Sequence, residues 1–483
     1  MGQSIHHQAF SAEHYHQFHQ RLETELALLR PLLEEPQFDR VAPSLGAELE
    51  MYLVDSDWLP TPRNQWLLDQ RKNPLVQPEL NQYNIEFNLA PVSANGRSLH
   101  ALHEQLENEL AALRTIAHQQ QVRIVPIGVL PTLDERHLSH EYLTNRPRYH
   151  VLADQLHNLK GSAFDVDING IDNLKMRSNE VTLEGANTSF QLHLRVRSSE
   201  FVNTFNAAQL VTPLVLALAA NSPILMGKQL WHETRIALFK QSIDSRDHAS
   251  TRWRQPARVS FGHGWLRNSV YELFAENVAL YPALLPQVPA EAAPDAFKAI
   301  QIHQGTIWSW NRPVLDVGND PHLRIEFRTL PAGPSNIDMI ANAALLLGLT
   351  TALSHNIDGY INKLPFQYAE FNFYRAAQQG LNANIVWPQQ HQHQLTERKI
   401  SDVIADLLPL AETGLQQLGV HKDDINLYLN VIERRLAARQ TGASWQLATF
   451  KKLSEKGRAN PLAELIEQYT LNNIANLPVA DWD

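Results

Sequence analysis

The chain has 483 residues, of which 44% are hydrophobic and 19% are charged, and this balance excludes disorder by composition for most of the chain. The formal net charge is -10 and no basic block is present, so we expect no nucleic-acid partner. The chain contains no cysteine, which excludes disulfides, cysteine–zinc sites and a cysteine nucleophile.

The start of the chain, from Met1 to Phe10, lacks the basic stretch and apolar core of a secretory signal, which predicts a cytoplasmic protein. Residues 207–226 form a strongly hydrophobic segment, but Gln209, Pro213 and Asn221 interrupt it. Its length and polarity favour a buried core helix over a membrane span, so we expect no membrane partner.

The first half of the chain alternates between amphipathic helices and half-buried strands. Apolar residues at helical spacing predict helices over residues 13–33 and 99–118. Alternation of apolar and polar residues predicts strands over 45–54 and 83–90, and the apolar run at 122–130 has the length of a strand.

The second half begins with strands and ends with helices. We predict a strand at 189–196, a buried helix around 210–218, strands at 306–315 and 323–330, and an apolar helix at 337–353. A turn at 318–321 joins the two late strands. After Ala369 the pattern is mainly helical, with apolar stripes through 400–418 and 427–436.

Neither an internal repeat nor a long linker divides the sequence. We therefore expect a single catalytic domain over residues 1–483, with core motifs at about 40–350 and a helical region at about 369–483. The stretches 282–294 and 389–394 are predicted to be loops. His6, His7, His14, His16 and His19 lie in a polar neighbourhood without interleaved carboxylates, which favours a surface tail and helix over a metal site.

Four of the predicted strands carry unusual polar side chains on one face. Successive side chains of a strand point to opposite faces, so the apolar and polar residues separate. The polar residues are Glu48, Glu50 and Tyr52; Asn84, Glu86 and Asn88; Gln191, His193, Arg195 and Arg197; and Arg324, Glu326 and Arg328. A solvated sheet face is the alternative, but it would carry a Thr, Ser and Lys mixture. We therefore predict a binding site.

The carboxylates of this set suit a hard cation. Mg²⁺ prefers oxygen ligands and commonly bridges to nucleotide phosphates. Glu48 and Glu50 project side by side, and Glu86 and Glu326 would close a ring if their strands lie nearby. Bare carboxylates ~4 Å apart repel by on the order of 4 kcal/mol per pair at an effective dielectric of ~20, and divalent cations would remove that repulsion.

The arginines suit phosphate. Arg324 and Arg328 flank Glu326 on the same face, and their forked guanidinium groups match phosphate or carboxylate oxygens. Neutralising phosphate charge is the main requirement of phosphoryl transfer. The sequence has no glycine-rich phosphate loop, so we expect a nucleotide to be bound by metal and arginine.

Five short segments, in the same order and at similar spacing, resemble the glutamate–cysteine ligases and related carboxylate–amine ligases of the glutamine synthetase superfamily. Residues 46–55 (GAELEMYLVD) are similar to the first metal-binding strand of that family, and 188–194 (TSFQLHL) to its central strand. Residues 216–223 with Gly227 resemble the helix and turn that follow, and 310–313 and 324–328 resemble the late arginine-bearing strands.

The resemblance implies an α+β fold in which an antiparallel β-sheet forms a funnel with helices packed outside, as in the glutamine synthetase catalytic domain. It implies ATP, Mg²⁺ (or Mn²⁺), and a reaction that activates a carboxylate, typically the γ-carboxylate of glutamate, as an acyl phosphate that an amine attacks. The implied metal ligands are Glu48, Glu50, Glu86 and Glu326. The implied catalytic residues are Arg324 and Arg328, and the implied cofactor-binding residues are Arg312, Arg324, Arg328, Gln191 and His193.

Some assignments stay open. Gln191 stands where many relatives have the first histidine of a pair, so His193 is either a ligand or a core residue. Trp308 and Trp310 border the amino-acid pocket or pack in the core. Residues 175–187 have no clear counterpart and the region after Ala369 matches loosely, so neither the amine acceptor nor the oligomeric state is assigned.

Two other functions remain as alternatives to the ligase. One is a kinase of guanidino compounds or amines on the same scaffold, against which the absence of cysteine weighs modestly. The other is an inactive paralogue that binds only a nucleotide or an amino acid. The intact Glu48 and Glu50 pair and the Arg324, Glu326 and Arg328 triplet argue against it.

Overall fold

The computed structural model describes residues 10–35, 38, 42–246, 255–287, 292–388 and 394–483. Its strands are β1 (Ser44–Val54), β2 (Val76–Pro78), β3 (Asn84–Ser93), β4 (Arg123–Val125), β5 (Phe164–Asn169), β6 (Asn173–Ser178), β7 (Phe190–Val196), β8 (Ile224–Leu225), β9 (Lys228–Gln229), β10 (Val259–Ser260), β11 (Trp308–Ser309), β12 (Asn311–Asp316), β13 (His322–Phe327), β14 (Asn384–Pro388) and β15 (Leu395–Lys399).

Helices flank these strands throughout the chain. They are α1 (Ala12–Glu34), α2 (Asn64–Arg71), α3 (Ser98–His118), α4 (Pro147–Lys160), α5 (Phe201–Ala219), α6 (Arg235–Ser242), α7 (Tyr271–Leu280), α8 (Lys298–Gln304), α9 (Asn336–Ser354), α10 (Asp358–Ile361), α11 (Phe366–Gln379), α12 (Ile400–Gln417), α13 (Lys422–Ala438), α14 (Gly442–Glu455) and α15 (Pro461–Ile474).

The central sheet has seven strands, and its pairings are all antiparallel. The strand order is β12–β13–β7–β1–β3–β2, and β4 pairs with β1 beyond the end of β7. The register places Glu50 opposite Glu86 and His193 opposite Glu326. Directly paired residues share a face, so the predicted separation into a polar and an apolar face is confirmed.

A bulge on β3 adjusts the register beside the site. Leu45 pairs with Val92 and Ala47 pairs with Leu89, so β3 has one residue more than β1 across this interval. Pro91 falls inside the bulge, where its missing N–H costs no ladder hydrogen bond. The neighbouring Ala90 bonds instead to the Gln105 side chain through both its N–H and its carbonyl.

The apolar face of the sheet is part of the main hydrophobic core, which also includes residues of α3, α5 and α9. By length and hydropathy, α5 (with the preceding turn) and α9 could each cross a membrane, yet 89% and 83% of their apolar windows are buried inside the protein. The prediction of a buried core helix around 210–218 is therefore confirmed. The C-terminal helices α12 and α13 pack on α9, and so onto the same core.

Several predicted boundaries were wrong. The apolar run 122–130 forms only the three-residue β4, because Pro126 cannot continue the ladder and the chain leaves the sheet. The strand predicted at 306–315 is divided between β11, which pairs in parallel with β10, and β12. The region after Ala369 contains the hairpin β14–β15 in addition to helices.

The remaining local predictions agree with the structure where it describes them. His16 and His19 are exposed on α1, as expected for a surface helix. His6 and His7, most of the loop 389–394 and part of the stretch 282–294 lie outside the described residues.

Candidate active site

A cavity of about 1000 Å³ lies on the polar face of the central sheet. Its floor is formed by side chains of β1, β3, β7, β12 and β13. Its walls come from the start of α4, from α8 and from Trp308. The sheet therefore supplies a rigid floor, and the helices enclose the space above it.

The first carboxylate cluster consists of Glu50 on β1, Glu86 on β3 and Glu79, which directly follows β2. One carboxylate oxygen from each lies within 4.8 Å of the others. Burial raises the pKa of Glu79 well above its usual range, and the Glu86 and Glu50 charges raise it further. Burial likewise raises the pKa of Glu86 to about 7. A divalent cation among these carboxylates would remove their repulsion.

Neighbouring backbone and side-chain donors orient Glu50. Its Oε2 accepts a hydrogen bond from the backbone N–H of Ser189 at 2.7 Å, and its Oε1 accepts one from Nε2 of Gln191 at 2.8 Å. Burial nevertheless raises the pKa of Glu50, because these bonds and the Arg328 charge offset only part of the lost hydration. Gln191 thus supports the carboxylate cluster.

The second cluster consists of Glu48, His193 and Glu326, with ligand atoms that again lie within 4.8 Å of one another. Burial acts to raise the pKa of Glu326, but the Arg312 and Arg328 charges outweigh it and hold that pKa well below its usual range. His193 similarly outweighs the burial of Glu48 and lowers its pKa. Both carboxylates of this cluster are therefore ionised at neutral pH.

His193 lies between Glu48 and Arg324. Its Nε2 is buried and lies 3.2 Å from Oε1 of Glu48, within ion-pair distance. Its Nδ1 lies 3.2 Å from Nε of Arg324, which donates to it. Because Nδ1 accepts from Arg324, the neutral ring carries its proton on Nε2, which donates to Glu48. His193 therefore lies at the cavity floor in the second cluster, and its role as a metal ligand stays a prediction.

Three arginines line the cavity beside the second cluster. Arg312 donates to both oxygens of Glu326, at 2.5 and 2.9 Å. Arg328 donates through one nitrogen to Glu326 and to Gln191, each at 2.6 Å. Arg324 contacts His193 and lies 3.8 Å from Asp316. The cavity floor is thus cationic along β12 and β13.

The structure corrects parts of the predicted site. The four predicted metal ligands do not form one ring, because the strand order puts Glu50 and Glu86 in one cluster and Glu48 and Glu326 in another. Arg195 pairs with Asp320, so it does not line the cavity.

The two tryptophans separate. Trp308 lines the cavity, whereas Trp310 is 1% exposed and packs between Phe239 and Phe373 in the core. The question left open by the sequence therefore has a different answer for each residue. Arg197, which also shares the predicted polar face, lies past the end of β7 beside Glu200 and does not line the cavity.

Several cavity residues were missed from the sequence: Glu79, Arg146, Arg148, Tyr149 and Glu184. Glu79 follows a strand of three residues, too short to show an alternating pattern. Glu184 belongs to the stretch 175–187, for which no role was predicted. Burial raises its pKa to about 8, and the Glu50 charge contributes. For Glu79 and Glu184, the only signal in the sequence was an acidic residue close to a predicted strand.

The sequence also matches a known protein family. The model of glutamate–cysteine ligase family 2 matches residues 44–462. The chain belongs to this family. As a member of glutamate–cysteine ligase family 2, it falls in the class of ATP-dependent carboxylate–amine ligases. The match starts at β1 and extends past the segment 40–350, on which the resemblance rests, into α15.

Individual relatives agree with this assignment. A protein of Trichormus variabilis that carries the provisional name glutamate–cysteine ligase 2 is 25% identical over 423 residues, which cover 83% of this chain and 86% of the relative. The crystal structure of a glutamate–cysteine ligase from Francisella tularensis in complex with AMP has a TM-score of 0.50 and 11% identity, and the match covers 91% of this chain and 94% of that one.

A lower similarity links the chain to a bifunctional glutathione synthetase from Pasteurella multocida. The TM-score is 0.47 and the identity 12%, over 94% of this chain and 55% of the other. The similarity to the Francisella structure supports the predicted α+β fold of this family member, with its antiparallel sheet and helices.

Proposed function

We propose that the protein uses ATP and Mg²⁺ (or Mn²⁺) to activate a carboxylate, the γ-carboxylate of glutamate, as an acyl phosphate and joins it to an amine. The observation that carries this proposal is the pair of three-ligand clusters on the floor of one arginine-lined cavity. Family membership supports the ligase class, and the cavity contents support the specific chemistry.

The residues present fit divalent cations. Glu50, Glu79 and Glu86 offer only oxygen ligands, which Mg²⁺ prefers. Glu48 and Glu326 add carboxylate oxygens at the second cluster, and such ligands suit Mn²⁺ as well as Mg²⁺. Divalent cations held at both clusters would neutralise the carboxylates and supply positive charge for a phosphate group.

The arginines would bind the transferring phosphoryl group. In the first step the substrate carboxylate oxygen attacks the γ-phosphorus, and the bond to the bridging β–γ oxygen breaks to release ADP. In the second step the amine nitrogen loses a proton and attacks the acyl carbon, and the C–O bond to phosphate breaks. Arg312, Arg324 and Arg328 border the cavity where their guanidinium groups can hold the phosphate oxygens in both steps.

The proposal also includes the domain organisation, the closure of the sheet, the class of substrate and the location of the protein. The packing of α12 and α13 on α9 supports a single catalytic domain over residues 1–483, with the helical region 369–483 as part of it. The funnel-like closure of the sheet and the kinship with the glutamine synthetase catalytic domain stay predictions. The substrates are small molecules, and the proposed location is the cytoplasm.

The proposal is tested by measuring ADP and inorganic phosphate after incubation with Mg-ATP and L-glutamate. The mixtures contain no amine, or one of L-cysteine, L-alanine, glycine and ethylamine. We expect ADP and phosphate in equal amounts, and only when an acceptor is present. ADP without free phosphate, together with a phosphorylated amine, would identify a kinase. Retained ATP binding without turnover in any mixture would identify an inactive paralogue.

A further inference from the structure

The segment that carries Glu184 is a 3-10 helix, Val181–Ala186, which contributes Glu184 to the lining of the cavity. Tyr52, two residues beyond Glu50 on β1, donates its hydroxyl to the Ala186 carbonyl at 2.5 Å. Asn81 donates to the Thr182 carbonyl at 2.8 Å. This helix is therefore fixed relative to β1, the strand that contributes one carboxylate to each cluster.

Close packing leaves this helix little freedom to shift. A Cβ added at Gly185 would lie 2.6 Å from the Asn81 side chain, so the two segments are in direct contact. Val181, Thr182, Leu183 and Ala186 are buried, whereas Glu184 is the residue of this helix that lines the cavity. The position of the Glu184 carboxylate is thus fixed by its helix, while the carboxylate itself is not part of the buried packing.

Within the described residues the Glu184 carboxylate makes no hydrogen bond or ion pair, and the nearby charges of Glu50 and Arg328 act on its pKa in opposite directions. The clusters that could hold a metal ion contain Glu48, Glu50, Glu79, Glu86, His193 and Glu326, and Glu184 belongs to neither. A carboxylate that faces a cavity beside another carboxylate, Glu50, is stabilised by a cation that arrives in the cavity.

The chemistry of that cation follows from the number of ligands. A divalent metal ion takes about six oxygen ligands, and its natural positions are the three-ligand clusters. An ammonium group needs only hydrogen-bond acceptors, and a single carboxylate provides a strong one. The arginines along β12 and β13 suit the anionic parts of a substrate, whereas the Glu184 carboxylate suits its ammonium group.

We infer that Glu184 binds the ammonium group of a substrate of the ligase reaction. The inference rests on the proposed function. The ammonium group comes either from the amino acid whose carboxylate is activated or from the amine acceptor. These two sources make different predictions for the same variant.

The test compares Glu184→Gln with the wild type and with Glu180→Gln. Glu180 lies on the same segment, pairs with His140 at 3.6 Å and does not line the cavity, so its substitution is a matched control. We measure KM for L-glutamate, for the best acceptor among L-cysteine, L-alanine, glycine and ethylamine, and for ATP, together with the Mg²⁺ concentration for half-maximal rate. Glu184→Asp, which keeps the charge, is measured in parallel.

If the activated amino acid supplies the ammonium group, Glu184→Gln raises KM for glutamate about tenfold or more and abolishes its preference over glutarate. If the acceptor supplies it, KM for the acceptor rises by a similar factor and KM for glutamate is unchanged. In both cases Glu184→Asp recovers part of the loss, and Glu180→Gln behaves like the wild type. A change confined to the Mg²⁺ requirement, or no change in either KM, would overturn the inference.

Failure of the proposed function has a separate signature. A wild-type protein without amine-dependent turnover would contradict the ligase proposal, and calorimetric binding would then test Glu184 independently. Wild-type protein with Mg²⁺ and a non-hydrolysable ATP analogue is titrated with glutamate, glutarate and each amine of the panel. Binding of an ammonium-bearing ligand that weakens about tenfold in Glu184→Gln supports the inference, and equal binding by both proteins contradicts it.

Discussion

The side chains of the cavity floor include two carboxylate clusters and the arginines that we propose to contact phosphate. Glu50 belongs to a carboxylate cluster and also accepts hydrogen bonds from Ser189 and Gln191. Glu50→Gln should lower turnover by about 100-fold or more, because a metal ligand loses its charge. The metal-free variant should melt at or above the wild-type temperature, because one repelling carboxylate has gone. Full activity with Mg-ATP would contradict the metal role of Glu50.

The two clusters should also be separable by metal titration. Electron paramagnetic resonance with Mn²⁺ should detect two classes of site in the wild type. Glu79→Gln should weaken one class and His193→Ala the other, because these residues belong to different clusters. Loss of the same class in both variants, or a single class in the wild type, would show that the clusters do not act as separate sites. Glu180→Gln is the control for a carboxylate outside the cavity.

Arg328 tests the role of forked contacts. Its guanidinium donates to Gln191 and Glu326 while it lines the cavity, and lysine cannot reproduce this geometry. Arg328→Lys should reduce turnover by about 100-fold, the usual cost of removing one donor to a developing charge. Arg197→Lys is the matched control, since Arg197 lies outside the cavity near Glu200. Unchanged turnover and KM in Arg328→Lys would indicate a structural role.

At the scale of elements, the sequence predicted those strands in which the alternation of apolar and polar residues continues for six or more residues. The alternation in β1, β7 and β13 spans six or more residues, so each strand and its polar face could be recognised. The three-residue β2 offers no such period, and Glu79 was missed with it. Glu184 lies on a 3-10 helix whose position depends on contacts with Asn81 and Tyr52, distant in sequence, so no local pattern could place it.

The junction between α14 and the core provides a test at the same scale. Gly442 begins α14, and a Cβ there would lie 2.0 Å from Oδ1 of the buried Asn221. Asn221 also receives a hydrogen bond from Gln446 at 2.8 Å and donates one to Tyr469 at 2.7 Å. Overpacking of this kind typically costs about 1–3 kcal/mol. Gly442→Ala should therefore lower the free energy of unfolding by that amount.

Urea denaturation measures this change, and a second glycine provides the control. Gly264 has no atom within 4 Å of an added Cβ, so Gly264→Ala should leave the free energy of unfolding nearly unchanged. If Gly442→Ala were as stable as the Gly264→Ala protein, α14 would not approach Asn221 as closely as the structure has it.

At the scale of the whole molecule, the buried His303 and the half-buried His232 make the stability of the fold depend on pH. Burial lowers the pKa of His232, and also that of His303, to about 4. In the unfolded chain both titrate near 6.5, so between pH 4 and 6.5 the unfolded state binds more protons than the folded state. Their contribution to stability is therefore complete above about pH 6.5 and is lost as the pH falls towards 4.

The expected slope is up to about 1.4 kcal/mol per pH unit for each histidine in that window. Urea denaturation at pH 4.5, 5.5, 6.5 and 7.5 measures it. The double variant His232→Gln/His303→Gln should show a flatter dependence between pH 4.5 and 6.5, whereas His16→Gln, at an exposed position on α1, should keep the wild-type slope. An unchanged slope in the double variant would mean that other groups control the acid sensitivity of the fold.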